Sequence, residues 1–395
     1  MKEDVLRNLL LKLKDRPINE YPLSVPIDLL SVAKNELKDM GITYKTKIER
    51  DKEKLLIFDK GKFIYKYNKN FYHNNSRLGF RIANDKYLTE KFLKYAGVPT
   101  SDSKIFNKNE YSKAFNLIKN SDSIFVIKPY NLMAGIGVNL NITEKNFEYA
   151  WKNSFNVQES YKIENPKVIV QKQIKGFEIR VVVVEGRMFS VTLRVPAYVI
   201  GDGVSTIDEL ITKKNSERRK NGYLRHRLIK KDDNLKQSLI QINKSLDYIL
   251  EKNELCIINP KSNIIQGGEN YEITNLVSEE LKILAVDAVK AIPGLHTAGV
   301  DIMVESLDSS EGIVLEVNKA PGFQMNYYPL IGTPQRPIKQ IFSNLILENR
   351  ILKEEFKPKE VTDEELQSII EKYKFLHEKL KVQEKVIKQL LDENL

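Results

Sequence analysis

Residues 315–323, LEVNKAPGF, follow a second apolar run at residues 298–304, AGVDIMV, and together the two segments carry the strongest chemical signal in the chain. Both runs predict short β-strands, in which alternate residues project from the same face, so Glu316 and Asn318 point the same way. If the strand of Asp301 lies beside them, two carboxylates and an amide oxygen converge, and Mg²⁺ prefers oxygen ligands of this kind. Taken alone, the pattern is more typical of two core strands with acidic ends, so the other segments decide.

Length and composition predict a soluble globular protein of two or three domains. The chain has 395 residues, of which 42% are hydrophobic and 29% are charged, as in ordinary globular proteins. The longest aliphatic run, at residues 181–184, is far shorter than a membrane span, and the N-terminal stretch lacks the apolar region of a secretory signal. A single cysteine, Cys256, excludes an intramolecular disulfide, so we expect a cytoplasmic protein.

Positive charge is concentrated in one polar segment. Residues 213–236 contain ten Lys or Arg against three acidic residues, within a chain whose net charge is +10. This segment could be a mobile loop near an anionic substrate or phosphate, or simply a solvated face, and charge patterning does not separate the two. A nucleic-acid partner is the less favoured explanation, because no RNA-recognition, zinc-finger or helix-turn-helix signature accompanies the charge.

The order of predicted elements indicates three regions. We expect an N-terminal region at residues 1–80, a main domain at 81–350 with a basic insertion at 212–236, and a C-terminal helix at 361–395. Strands and helices alternate without the regular βαβ spacing of a Rossmann domain, so the predicted fold class is α+β.

Apolar residues recur in steps of three and four through residues 361–395, which predicts a long amphipathic helix. The repeat, called the heptad seam below, consists of Leu366, Ile369, Tyr373, Leu376, Leu380, Gln383, Ile387 and Leu390. The helix can zip to a second copy or to a partner, or it can pack back on its own core. We favour self-association as a coiled-coil homodimer, because about four heptads are present.

Nucleotide binding would need an unusual phosphate site, because the chain has no Walker A motif and Gly135-Ile136-Gly137 lacks the third glycine of a dinucleotide fingerprint. Lys128 ends a predicted strand and can extend toward phosphates. The permissive loop at 131–137 offers backbone N–H groups that could cover them. Residues 171–174 can supply a backbone hinge for adenine, and Glu178 a carboxylate for ribose hydroxyls.

In this order, the segments from residue 84 to about residue 347 resemble the ATP-grasp ligases, in particular the ATP-grasp modules of cyanophycin synthetase and of bifunctional bacterial glutathione synthetase. D-alanine–D-alanine ligase is a more distant likeness. The resemblance implies an ATP-grasp fold in which two α/β subdomains clasp ATP. The stretches that carry it are residues 170–180, 194–197, 201–203, 207–210, 262–263, 267–268 and 316–323.

The resemblance also implies roles for individual residues. ATP would be bound by Lys86, Lys128, Gly135, Gly137, Gln171, Lys172, Ile174 and Glu178, with the lysines at 86 and 128 on the phosphates. Asp301, Glu316 and Asn318 would hold Mg²⁺, as two ions, with Mn²⁺ as an alternative. Arg194, Arg180 and Lys128 are the catalytic candidates. For the two arginines, a salt bridge on the sheet face is the alternative interpretation.

The activity that the resemblance implies is amide-bond formation. A substrate carboxylate, from an amino acid or peptide, would be phosphorylated by ATP and then coupled to an amine. Water must be kept from the acyl-phosphate, and residues 131–137 and 213–236 are the lid candidates. The alternative function is a nucleotide-binding scaffold without turnover that acts through its C-terminal helix.

Overall fold

The computed structural model describes residues 2–68, 72–132, 135–259, 262–353 and 362–392. The α-helices of this part, α1 to α12, are Lys2–Leu13, Leu29–Asp39, Arg77–Asn84, Lys86–Ala96, Tyr111–Lys119, Phe147–Ser160, Ile207–Lys220, Asp233–Ile240, Glu279–Ala291, Gln324–Tyr327, Pro337–Leu352 and Asp363–Asp392. The strands, β1 to β14, are Thr43–Glu49, Lys52–Asp59, Lys62–Tyr67, Ser103–Asn107, Phe125–Pro129, Asn139–Ile142, Lys167–Lys172, Phe177–Val184, Arg187–Val195, Ala197–Ile200, Leu255–Asn259, Glu269–Glu272, Ala298–Val304 and Ile313–Asn318.

Four antiparallel sheets organise these strands. The central sheet has the order β12-β9-β8-β13-β14, and a four-stranded sheet has the order β4-β7-β5-β6. The smaller sheets are β1-β2-β3 and β10-β11. Antiparallel sheets with helices packed against them make an α+β fold, as the sequence predicted. Residues 173–176 connect β7 to β8, so this short segment links the four-stranded sheet to the central one.

Local sequence signals explain where the site-bearing helices begin and end. Asp85 caps α4 by accepting a hydrogen bond from the Leu88 N–H, and Gly97 ends the helix with a φ of +79°. Thr206 and Glu209 form a capping box at the start of α7.

The central sheet is buried on both faces. Along β8, Val181 and Val183 belong to one hydrophobic core, while Val182 and Val184 belong to another. Because alternate residues of a strand face opposite sides, the second half of β8, residues 181–184, is a continuous apolar run. The N-terminal region completes both cores, since α1 contributes to the first and α2 to the second.

The residues of the heptad seam fall into two groups in the structure, one half-buried and one exposed. Ile369, Leu376, Gln383 and Leu390 are half-buried, on a helix whose neighbours are α9, α4 and α11. The alternate seam residues, Leu366, Tyr373, Leu380 and Ile387, are between 48% and 64% exposed. The helix therefore packs back on its own core, which was the less favoured expectation, and only half of the seam is left for a partner.

The basic segment is mostly helical. Residues 213–220 continue α7, and residues 233–236 begin α8, so only residues 221–232 form a loop. Side chains of α7 fix this loop, because the Asn215 amide exchanges two hydrogen bonds with the backbone of Ile229. The expectation of a long mobile loop is therefore wrong for both ends of the segment. No helix among the described residues has the length and apolarity to cross a membrane.

Candidate active site

The predicted metal-binding strands are neighbours in the central sheet. β13 pairs with β14 so that Asp301 lies directly opposite Glu316, and on its other side β13 pairs with β8 so that Asp301 lies opposite Arg180. Asn318 donates from its amide to Asp301 Oδ2 at 3.0 Å. The convergence predicted from alternate strand residues is therefore present, with an arginine at its centre.

Arg180 binds both oxygens of Asp301. Its Nε and NH2 groups donate to Oδ1 and Oδ2 at 2.6 and 2.7 Å, and both side chains are buried. Burial is the largest influence on the pKa of Asp301 and raises it, but the guanidinium more than compensates, so the pKa of this carboxyl is lowered. Asp301 thus has no unengaged oxygen for a metal ion while Arg180 stays in place.

Arg194 lies on β9, one strand further. Its NH1 group donates to Glu178 Oε1 at 2.5 Å and to Asp301 Oδ2 at 3.4 Å, and its NH2 group donates to the carbonyl of Ser262 at 2.8 Å. Burial, with repulsion from Asp301, raises the pKa of Glu178 to about 7. Both arginines therefore form salt bridges, which was the alternative interpretation. They do so on the sheet face that also carries the other site residues.

Two lysines approach the same carboxylates from the other side. Lys86, at the first turn of α4, donates to the carbonyl of Leu132 at 2.7 Å. Burial lowers its pKa, and Glu316 partly opposes the shift. Lys128 sits near the end of β5, and burial together with the adjacent Lys86 lowers its pKa to about 8. Two desolvated cations and one carboxylate face each other, which is an arrangement that a bound polyphosphate would complete.

The residues predicted for adenine lie where β7 leaves the four-stranded sheet, and the two glycines of the loop 131–137 lie between β5 and β6. Gln171 and Lys172 end β7, with Gln171 buried and accepting from the Ser103 hydroxyl at 3.2 Å, and Lys172 exposed. Ile174 is half-buried in the linker 173–176. Gly135 and Gly137 have φ values of +72° and +69°, in the left-handed region that favours glycine.

Sequence reasoning missed Glu90, which organises the lysine side of the site. Its buried carboxylate accepts from the Ser101 hydroxyl at 3.0 Å and from the Ser103 N–H at 2.8 Å. It also forms an ion pair with Lys94 at 3.1 Å. Its position four residues after Lys86, hence on the same face of α4, was the available signal.

The donor set fits a magnesium-bound nucleotide. Glu316 is half-buried and forms no hydrogen bond or ion pair within the described part of the chain. Asn318 uses its NH₂ group on Asp301, which leaves its amide oxygen available. Glu316 and Asn318 are therefore ready to hold a hard cation, whereas Asp301 becomes available only if Arg180 releases one oxygen.

A basic groove lies next to the site. It measures about 580 Å³, and no acidic residue lines it; its walls are Thr212, Asn215, Arg219, Arg225, His226, Leu228, Ile229, Lys230 and Lys231. Among the described residues, Arg219, Arg225 and Lys230 have no ion-pair partner. Ile229 packs against Gly267, in the loop that begins at Ser262, which binds Arg194.

Comparisons with known proteins agree with this geometry. Residues 84–198 match the family described as phosphoribosylglycinamide synthetase, ATP-grasp (A) domain. Cyanophycin synthetase of Trichormus variabilis is 31% identical over 265 residues, which are 65% of this chain and 28% of that protein. The glutathione biosynthesis bifunctional protein GshAB of Enterococcus faecalis is 26% identical over 298 residues, which are 72% of this chain and 38% of that protein.

A solved structure supports the same likeness. The bifunctional glutathione synthetase of Pasteurella multocida superposes with a TM-score of 0.58 and 25% identity, over 80% of this chain and 43% of that one. The chain spans well under half the length of the relatives that it matches. The family match at residues 84–198 runs from the residue before Asp85, the cap of α4, to β10, so it includes the lysine side of the site and both arginines.

Proposed function

We propose that this chain is an ATP-dependent carboxylate–amine ligase of the ATP-grasp type, to which residues 84–198 and the relatives above are similar. The observation that carries the proposal is the convergence of Lys86, Lys128 and Glu316 at the junction of the two sheets that the 173–176 linker joins. A phosphoryl donor placed there meets Lys86 from α4, Lys128 from the four-stranded sheet and Glu316 from the central sheet. Positioning and charge neutralisation are what phosphoryl transfer requires of a protein.

Each side chain has a definite task in the proposed reaction. Lys86 and Lys128 neutralise the phosphates of ATP, the linker 173–176 receives adenine through its backbone, and Glu178 binds the ribose. The substrate carboxylate attacks the γ-phosphorus, ADP leaves, and an amine then displaces phosphate from the acyl-phosphate to form the amide. Arg194 is placed to bind the negative charge that develops on the transferred group.

ATP-grasp ligases use ATP together with Mg²⁺, and here Glu316 and Asn318 would hold the ion. When bound, Mg²⁺ supplies charge neutralisation at the phosphates. We propose two such ions, with Mn²⁺ as an alternative, and Asp301 as a further ligand if Arg180 turns toward the substrate. Because Arg180 saturates both oxygens of Asp301, this exchange would couple substrate binding to metal binding.

The substrate class is an amino acid or a peptide, which supplies the carboxylate, with an amine as nucleophile. The basic groove beside residues 262–268 supports a substrate with additional negative charge, and the loop 221–232 remains a lid candidate together with residues 131–137. Of the latter loop, residues 133 and 134 lie outside the described residues. A cytoplasmic location stays a prediction from the single cysteine, which is buried.

The test is ADP release from the purified protein with Mg-ATP, across a panel of amino acids and peptides, with hydroxylamine present to trap acyl-phosphates. We expect a hydroxamate that depends on one carboxylate of the panel and is lost in Glu316→Ala. Glu311→Ala is the matched control, because Glu311 is an exposed acidic residue just before β14. Nucleotide binding without hydroxamate or ADP formation on the whole panel would favour the alternative, a scaffold without turnover.

We also propose that the exposed half of the heptad seam supports a homodimer. Acidic residues cluster at the start of α12 (Asp363, Glu364, Glu365) and lysines near its end (Lys381, Lys385, Lys388), so two antiparallel copies would place opposite charges together. Sedimentation velocity of Leu380→Glu against Lys381→Glu tests this. Dissociation by the first substitution alone supports the dimer, and a wild-type monomer at all concentrations contradicts it.

A further inference from the structure

A second cluster of potential metal ligands lies at the far end of β8. Glu185 occupies the turn between β8 and β9, five residues beyond Arg180 and therefore about 16 Å away along the strand. His73, just before α3, and Glu348, on α11, meet it there. Three separate segments, including the N-terminal region, thus converge at one point that is remote from the nucleotide site.

The distances suit a small cation. His73 Nε2 is 3.2 Å from Glu185 Oε1 and 3.6 Å from Glu348 Oε2, and all three atoms lie within 4.8 Å of one another. Ligands at about 2.0–2.1 Å in a tetrahedral zinc site are separated by about 3.3 Å, so the triangle needs little adjustment to hold such an ion.

His73 itself points to a missing ligand. Its side chain is only 9% exposed, yet neither ring nitrogen has a hydrogen-bond partner within the described residues. Buried polar atoms are nearly always partnered, so two orphan nitrogens beside two carboxylates need an explanation.

The surrounding groups hold the carboxylates in a fixed orientation. Lys372 of α12 contacts Glu185 Oε2 at 3.0 Å and also contacts Glu348 Oε1, while the Asn344 amide donates to Glu185 Oε2 at 3.0 Å. These donors occupy the outer oxygens and leave Glu185 Oε1 and Glu348 Oε2 directed at His73. Such outer-shell hydrogen bonds typically orient metal-binding carboxylates.

Charge favours the same conclusion. Two carboxylates meet a single lysine at the cluster, and the Glu185 side chain is 1% exposed. Lys372 is the rival cation, but it contacts Glu185 Oε2 and Glu348 Oε1, which are not the oxygens that approach His73. An imidazole and two carboxylates together suit Zn²⁺ better than Mg²⁺, which prefers oxygen alone.

We propose that His73, Glu185 and Glu348 form a structural site for a divalent transition-metal ion of the Zn²⁺ type. The ion would tie the segment before α3 to the β8–β9 turn and to α11. This inference does not depend on the ligase proposal, because the cluster shares no residue with the nucleotide site.

Cobalt and zinc are the probes. Untagged protein is stripped with chelator, and Co²⁺ is added without nucleotide while the visible d–d absorption is recorded; Zn²⁺ binding is then measured by competition with a chromogenic chelator. We expect one equivalent of Co²⁺ in a low-symmetry site, displaced by Zn²⁺. The proposal is overturned by wild-type protein alone if the Co²⁺ spectrum equals that of Co²⁺ in buffer and the protein takes up no Zn²⁺.

Variants then locate the ion. His73→Gln and Glu348→Gln are each expected to weaken Zn²⁺ binding by at least about tenfold, while Glu316→Gln and Glu364→Gln retain it. Glu348 is 29% exposed, so its substitution keeps the test available if His73→Gln does not fold. Equal Zn²⁺ affinity in wild type, His73→Gln and Glu348→Gln would place the ion elsewhere and refute the site. Loss in Glu316→Gln alone would assign the metal to the nucleotide site instead.

Discussion

The two ends of β8 hold carboxylates in opposite ways. At the nucleotide end, Arg180 saturates both oxygens of Asp301 and Arg194 binds Glu178. At the far end, Lys372 and Asn344 engage only the outer oxygens of the carboxylates, and His73 has no hydrogen-bond partner within the described part of the chain. Arg180 and Asp301 therefore satisfy each other without a ligand, whereas Glu316 beside them forms no hydrogen bond or ion pair within the described residues. The second arrangement leaves its inner face open.

The two ends of β8 therefore use buried charged groups for different purposes. A saturated ion pair can switch partners, so it suits a site whose substrate comes and goes, whereas an unsaturated cluster suits a ligand that stays. Single substitutions at the two ends should therefore differ in their effects on the free energy of unfolding and on turnover.

The largest effect on stability is expected for Arg180→Met. The substitution leaves the buried carboxylate of Asp301 without its charge partner, and removing one member of a buried pair typically costs about 3–5 kcal/mol in the free energy of unfolding. Urea denaturation measures the loss. Arg187→Met is the matched control, because Arg187 is 38% exposed and pairs with Glu371 at 3.4 Å, and it should change the free energy by less than about 1 kcal/mol. Equal effects of the two would mean that the pair at β8 is not stabilising.

Glu316→Ala should leave the fold largely intact and remove turnover. The carboxylate has no protein partner to lose within the described residues, so its substitution acts mainly on the bound nucleotide. We expect a fall of about 10²–10³ in kcat, measured as ADP release, with an unfolding midpoint close to that of wild type. A large drop in stability would show that Glu316 is a structural residue, in contrast to the task assigned to it here.

Lys379→Met tests how α12 is held at the end of β8 that is remote from the nucleotide site. Lys379 of α12 donates to the carbonyls of Val289, Lys290, Ile292 and Leu295, at 2.7 to 3.3 Å. These oxygens lie where α9 ends, and leaving them buried without a donor should cost about 2–3 kcal/mol in unfolding free energy.

Lys381→Met is its control, because Lys381 lies on the exposed face of the same helix. Thermal and urea unfolding of the two variants should diverge clearly. If the two variants have the same unfolding free energy, water hydrogen-bonds the four carbonyls in place of Lys379. In that case this lysine does not hold α12 in place.

The smallest predicted effect is a fall in the free energy of unfolding at acidic pH. Burial lowers the pKa of His296, which packs edge-on against Phe375, to about 4, against about 6.5 in an unfolded chain. Unfolding therefore takes up a proton between these values, and the free energy of unfolding should fall as the pH drops from 6.5 to 5, by about 1 kcal/mol. Urea titrations at both pH values measure it. His296→Gln should flatten the slope, and His377→Gln, an exposed site on α12, should not.

Local patterns predicted much of the fold. The C-terminal segment is a long helix, and the strands around Asp301 and Glu316 lie side by side, both as expected. These elements carry their own caps, apolar periodicity or strand alternation, so a short window is sufficient.

The rest depended on contacts between distant segments. Arg180 and Asp301 are 121 residues apart, and no local spacing shows that their strands pair. The heptad seam could not be assigned a partner for a similar reason: a three-four repeat indicates an apolar face but not what covers it, and here α9, α4 and α11 cover half of it. His73, Glu185 and Glu348 are scattered in sequence and belong to no motif, so only the fold brings them together.

The docking of α12 has a consequence for synthesis on the ribosome. Gly186, in the β8–β9 turn, lies so close to Phe375 that an added Cβ would sit 2.1 Å from the ring. α12 is translated after every element that it covers, so the nascent chain exposes this turn and the end of α9 until α12 emerges. A chaperone or protease therefore has a defined interval in which the β8–β9 turn of the central sheet is still uncovered, and the appearance of α12 closes that interval.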